Sequence, residues 1–222
     1  MSEAVLRMPG EEPTSERRTQ ILDAAERRFS QAGFHRTTMQ DVAAEAGMSP
    51  GNLYRYFPSK DALVAGLCER DRVGLAREFE DLPQSGDFLV AFRELGRRHF
   101  EDTQTDKAKL CLEIWAEAAR NPTIAPIQTD FHRALMEHFV SAFENAQWEG
   151  GIDPSVNCRA VASIIAKLGD GLFVRRATAA DFDPDREIAE VFAVIGALLR
   201  GAIKLPSSTS SPDSCLSKEY QP

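Results

Sequence analysis

The stretch Ser49-Pro50-Gly51-Asn52-Leu53-Tyr54-Arg55-Tyr56-Phe57-Pro58 constrains this chain more than any other. Ser49 can cap a helix whose first position is Pro50, where a missing N–H costs nothing, and Pro58 stops that helix. A helix of about seven residues is not stable alone in water, so its neighbours must hold it. Leu53, Tyr56 and Phe57 point one way and offer a packing face. Gly51, Asn52, Tyr54 and Arg55 are left toward solvent.

The residues before it supply the partner. Thr38-Met39-Gln40-Asp41 has the Thr-x-x-acid form of a capping box, and Met39, Val42, Ala43 and Ala46 follow at helical spacing. This predicts a helix of about two turns ending at Gly47. A longer helix, Ser15 to Ala32, precedes it, with Ile21, Leu22, Ala25, Phe29 and Ala32 on one stripe and Gly33 as C-cap. Two short helices joined by a glycine-containing turn predict a helix-turn-helix whose second helix enters a DNA major groove. Its residue types fit, since Arg donates to guanine O6 and N7 while Tyr and Thr hydroxyls reach phosphates. The net charge of −8 does not oppose this. Thr14–Lys60 carries seven basic against five acidic residues, so the acidity lies in the rest of the chain.

Ser59 can cap a fourth helix through Lys60–Glu80, long enough at ~1.5 Å per residue to link the head to a second domain. Further helices are expected at about 87–102, 106–120, 122–148, 154–178 and 184–203, with no strand. The fold class is all-α. The expected organisation is an arm over 1–13 and a helix-turn-helix domain over 14–60. A helical ligand-binding and dimerisation domain over 61–204 and a Ser- and Pro-rich tail over 205–222 follow. Arm and tail are expected to be disordered. The last two helices are more apolar than one buried face requires. Ile164, Leu168 and Leu172 on one, with Val191, Ile195 and Leu198 on the other, predict a four-helix interface with a second copy of the chain.

No GxSxG, GxxxxGK[ST], GxGxxG or HExxH is present, so nothing argues for an enzyme, a cofactor or a metal. Cys68, Cys111, Cys158 and Cys215 are far apart and read as buried thiols rather than as a disulfide framework or a zinc site. The chain has no apolar run of the ~20 residues that a membrane span needs, and its start lacks a signal-peptide core; the expected compartment is the cytoplasm.

From Thr14 to Leu67, the helix ILDAAERRF, then Thr37-Thr38, then AAEAGMSPGNLYRYFPSKDAL closely resemble the DNA-binding domain of TetR-family transcriptional regulators. The resemblance implies phosphate contacts from Thr38, Tyr54, Tyr56 and Lys60, and a groove face formed by Ser49, Pro50, Gly51, Asn52 and Arg55. Tyr56 lies on the core side of its helix, so its hydroxyl alone would reach outward. The resemblance also implies a homodimer on a roughly palindromic operator, and a pocket for a small-molecule effector in the middle helices. Candidates for that pocket are Phe92, His99, Trp115, Phe131, His132, Phe139 and Phe173, with Phe100, Met136, Phe143, Glu113 and Asp170 nearby in sequence. The implied function is a repressor released from DNA by its ligand. The alternative is a helical ligand- or partner-binding protein whose head no longer reads DNA.

Overall fold

The computed structural model describes residues 12–80, 82, 88–102 and 105–205. Nine helices, α1 Glu12–Ala32, α2 Met39–Glu45, α3 Pro50–Tyr56, α4 Lys60–Glu80, α5 Phe88–Asp102, α6 Thr105–Ala118, α7 Ile124–Trp148, α8 Cys158–Thr178 and α9 Pro184–Leu199, hold most of the described residues, which contain no strand. Most of the predicted arm and most of the predicted tail, including Cys215, lie outside them, while Glu12 and Pro13, expected in the arm, belong to α1.

In the head, short-range chemistry sets the boundaries. Thr38 Oγ1 accepts from the Asp41 N–H at 3.1 Å, and Asp41 Oδ2 accepts from the Thr38 N–H at 2.8 Å, which closes the capping box of α2. Gly47, at φ +62°, takes the left-handed conformation after α2, as Gly33 does at φ +82° after α1. Ser49 Oγ accepts from the Asn52 N–H at 3.3 Å, with Pro50 at the first position of α3. Ser59 Oγ accepts from the Ala62 N–H at 3.1 Å at the start of α4.

Ile21, Phe29, Val42, Leu53, Phe57 and Leu63 join one apolar core in which each is 2% exposed or less. That core also takes Leu110 and Ile114 from α6 and Ile124 from α7, so packing runs from the head into the body across residue 60. Two further cores fill the body. The larger gathers Phe88, Phe92, Phe143, Ile165 and Leu199, and the smaller Phe100, Leu172 and Ile188.

Element boundaries differ from expectation mainly in the body. α8 begins at Cys158, four residues after Pro154. Asn157 Oδ1 accepts from the Ala160 N–H at 3.0 Å and caps the helix there, while Asp153 Oδ1 accepts from Ser155 and holds Pro154 in a turn. α9 ends at Leu199 rather than Ile203, since Gly201 adopts φ +70°.

Candidate nucleic-acid interface and effector cavity

The packing face of α3 is small: Leu53 is its one buried residue, at 0% exposure. Ser49, Pro50, Gly51, Tyr54 and Arg55 are exposed, Asn52 and Tyr56 half-buried, and Thr38 stands exposed at the start of α2. The predicted contacts on α3 therefore lie mainly on its exposed side, and Tyr56 packs against the head core as its place in the helix suggests.

α1 holds this face in position through contacts that sequence reasoning missed. The Arg18 guanidinium donates to the Tyr56 carbonyl at 3.3 Å and lies over the Phe57 ring at 4.4 Å. Gln20 Nε2 donates to the Ala46 carbonyl at 3.4 Å. Such pairs span 26 to 38 positions and leave no periodic signal.

Lys60 is the exception among the predicted phosphate contacts. Its Nζ donates to the Phe34 carbonyl at 2.7 Å and to the His35 carbonyl at 3.4 Å, and lies over the Phe34 ring at 4.4 Å. In the free chain it ties α4 to the turn after α1 rather than standing open for a phosphate, because the carbonyls at that turn need donors.

From the other side, α6 grips the same turn. Glu113 Oε2 accepts from the Phe34 N–H at 3.0 Å. Glu117, 5% exposed, accepts from Arg120 Nε at 3.0 Å and Asn121 Nδ2 at 3.2 Å, and its Oε2 lies 2.8 Å from His35 Nε2, which Arg120 Nη2 also approaches at 3.0 Å. Burial pushes its carboxyl up, but Asn121, Arg120 and His35 together hold it below the usual carboxylate range. Arg70 completes the grip, pairing from α4 with Asp23 at 2.9 Å and with Glu26.

Inside the body, a cavity of about 120 Å³ lies between α4, α5, α7, α8 and α9. Phe79, Phe92, Phe100, Phe139, Phe173 and Phe192 all line it. Phe92, Phe139, Phe173 and His99 of the predicted set line it; Trp115, Phe131 and His132 do not. Trp115 touches the Phe173 ring edge-on at 6.0 Å, Phe131 lines a separate groove beside Cys68 and Arg72, and His132 is exposed. Their helices carry apolar positions on more than one face, and periodicity does not say which face meets the cavity. Leu75, Phe79 and Phe192 were missed for the same reason.

His99 Nδ1 stands 3.8 Å from Glu78 Oε2 and, with burial opposing it, holds that carboxyl below the usual range. Asp170, at the cavity edge and exposed on its outer side, is pushed above the usual range by burial, against the pull of His132 and Lys167. The thiols have no part in either site. Burial raises Cys68 to about 11 and Cys111 to about 12, far from reactive thiolates at neutral pH.

The predicted interface between two copies needs correction. Leu172, Ile195 and Leu198 are 2–3% exposed within the single chain, inside cores that α8 and α9 share with α5 and α7, and have no surface left to offer a second copy. Ile164, Leu168 and Val191 are half-buried, and Val174 and Val194, each 44% exposed, mark the open side of α8 and α9.

Residues 21–67 match the family described as "Bacterial regulatory proteins, tetR family", and residues 92–200 match "BetI-type transcriptional repressor, C-terminal". The HTH-type transcriptional regulator UidR of Escherichia coli K12 is 30% identical over 155 residues, 70% of this chain and 79% of that protein. The HTH-type transcriptional regulator BetI of Burkholderia thailandensis is 31% identical over 172 residues, 73% of this chain and 83% of that protein. The solved structure of Salmonella enterica GusR superposes with a TM-score of 0.72 at 26% identity, over 88% of this chain and 100% of that one. The family matches over residues 21–67 and 92–200, together with a relative 30% identical over 70% of this chain and 79% of its own length, place the chain in the TetR family of transcriptional regulators.

Proposed function

We propose that the chain represses transcription as a homodimer bound to a roughly palindromic operator, and that a small molecule in the phenylalanine-walled cavity releases it. One observation carries this reading: α4 joins the two sites as a single continuous helix. Its first turns hold Lys60, Leu63, Val64 and Leu67 against the head, and its last turns present Leu75, Glu78 and Phe79 to the cavity. A ligand that favours one tilt of α4 changes the spacing of two heads and thereby their fit to half-sites one helical turn apart.

Arg55 reads base edges from the groove face, while Thr38, Tyr54 and the Tyr56 hydroxyl fix the register on phosphates. The dimer forms through the outer faces of α8 and α9, on Ile164, Leu168, Val191, Val174 and Val194. Among the described residues no helix is long and apolar enough to cross a membrane. The place of action in this reading is the cytoplasm, where the operator lies.

Selection of bound fragments from random duplex DNA tests the reading. The expected result is an enriched palindrome, on which Arg55→Ala costs ~1–3 kcal/mol and relaxes base preference at one position of each half-site. Finding no duplex preferred over random DNA at low salt would favour the alternative of a helical ligand-binding protein that does not read DNA.

A further inference from the structure

A second opening adjoins the cavity. A groove of about 220 Å³ lies between the end of α4 and α7, and its polar groups are Glu80, His138, Ser141 and Asn145. Phe79 belongs to both walls. Its ring stacks on His138 at 5.8 Å on the groove side and meets Phe139 edge-on at 5.2 Å on the cavity side. The ring is the partition between an apolar space and a polar one.

Volume decides what each space can hold. A cavity of ~150 Å³ accommodates a benzene-sized ring, so about 120 Å³ takes one small apolar group and little more. Ligand sites usually span ~300–1,000 Å³, a range the cavity and the groove reach together and neither reaches alone. The carboxylates along the combined wall are Glu78, Glu80 and Asp170, beside the imidazoles of His99 and His138, and among the described residues no Lys or Arg lines either part. A carboxylate ligand would meet three carboxylates and no Lys or Arg, with His99 already paired to Glu78; an amine or hydroxyl would find acceptors.

We propose that cavity and groove are two halves of one effector site for an amphipathic amine or alcohol, and that displacement of Phe79 by a ligand spanning both is the step that moves α4. The apolar end occupies the phenylalanine cavity, and the donor end lies toward His138, Ser141 and Asn145. A ligand short enough to stay in the cavity leaves Phe79 and α4 where they are. It binds without releasing DNA. A longer one must push the ring aside, and the ring sits on the last turn of the helix whose first turn anchors the head. This rests on the ligand-gated reading above and adds a length threshold to it.

The test uses the full chain and the selected operator. Benzylamine, phenylbutylamine and phenylhexylamine are titrated by calorimetry, and operator affinity is followed by fluorescence anisotropy at saturating amine. Benzylamine should bind and leave operator affinity within about twofold, and phenylhexylamine should weaken it by roughly tenfold, inside the usual range of allosteric coupling. Phe79→Ala removes the partition, so phenylhexylamine should bind about tenfold more tightly and lose most of its effect on the operator, the binding energy no longer being spent on moving the ring. Phe79→Leu serves the same purpose if the smaller residue destabilises the chain. Phenylhexanoate should bind at least about tenfold more weakly than the amine of equal length, the reverse of what a cationic wall would give.

Equal weakening of the operator by short and long amines would overturn the role of Phe79 and leave ligand gating intact. Amines that bind at every length without affecting DNA would overturn ligand gating itself. Phenylhexanoate binding as tightly as phenylhexylamine would overturn the ligand class, and no amine binding at millimolar concentration would overturn the site.

Discussion

The head and the body use the same helices to opposite ends. In the head, α1 to the start of α4 enclose Leu53, Phe57 and Leu63 at 2% exposure or less, and Arg18, Lys60 and Glu113 cover free carbonyls and an N–H group of its turns. In the body, six phenylalanines surround space that they do not fill. Dense packing suits a surface that must present Tyr54 and Arg55 in one geometry, because a close-packed core has few alternative arrangements. Loose aromatic packing suits a part that must change shape when a ligand arrives. The polar groups follow the same division: in the head they are paired at turns, and in the body they stand at cavity edges.

Truncation of a ring should separate the two regions most. Phe57→Ala in the head should cost ~3–5 kcal/mol, the usual loss for a fully buried aromatic, whereas Phe139→Ala, half-buried beside existing space, should cost roughly half as much. Chemical denaturation of both variants measures this, and equal losses would remove the contrast in packing.

Glycine substitutions should differ in sign. A Cβ on Gly66 would sit 2.8 Å from Phe57 Cε1 and 2.9 Å from Leu22 Cδ2, so Gly66→Ala should destabilise by ~1–3 kcal/mol despite the better helix propensity of Ala. A Cβ on Gly169, at the cavity, would meet nothing within 4 Å, and Gly169→Ala should stabilise by up to ~1 kcal/mol. Thermal melts compare the pair; destabilisation by both would mean that the cavity wall is as tight as the head.

At the joint between the regions, Glu117→Gln should cost ~1–3 kcal/mol, since it weakens charged hydrogen bonds in a buried site. The folded chain holds this carboxyl below its unfolded value, so its contribution is complete above about pH 4.3 and is lost as pH falls through the lower folded value. Acid titration of stability should therefore be shallower for the Gln variant. An unchanged profile would mean that the joint does not depend on this charge.

The smallest destabilisation is expected at the capping box. Thr38→Ala should lower stability by ~0.5–2 kcal/mol through the loss of the α2 cap, and operator affinity by the loss of a phosphate contact. Thr38→Ser, which keeps the hydroxyl, should retain both. A serine variant as stable as the parent chain but weaker on the operator would assign the DNA contact to the threonine methyl group.

The part of this protein that can be read from its residues alone is the part made of short-range contacts. Thr38 with Asp41, Ser49 with Asn52, Pro50 and Pro58 all act within four positions along the chain, so the order of residues determines α2, the length of α3 and the exposed face that carries Arg55. The same logic fails at Pro154, where two local signals compete and the Asn157 cap prevails. What only the tertiary structure decided is which side of each body helix meets which neighbour. Leu172, Ile195 and Leu198 were readable as apolar, but their burial inside one chain, like the pairing of Glu113 with the Phe34 N–H across 79 positions, depends on how α5 to α9 pack. A helix with apolar residues on two sides can turn either of them inward at similar free energy. The choice belongs to the whole core, where one arrangement of large side chains fills the space and the others leave voids or clashes.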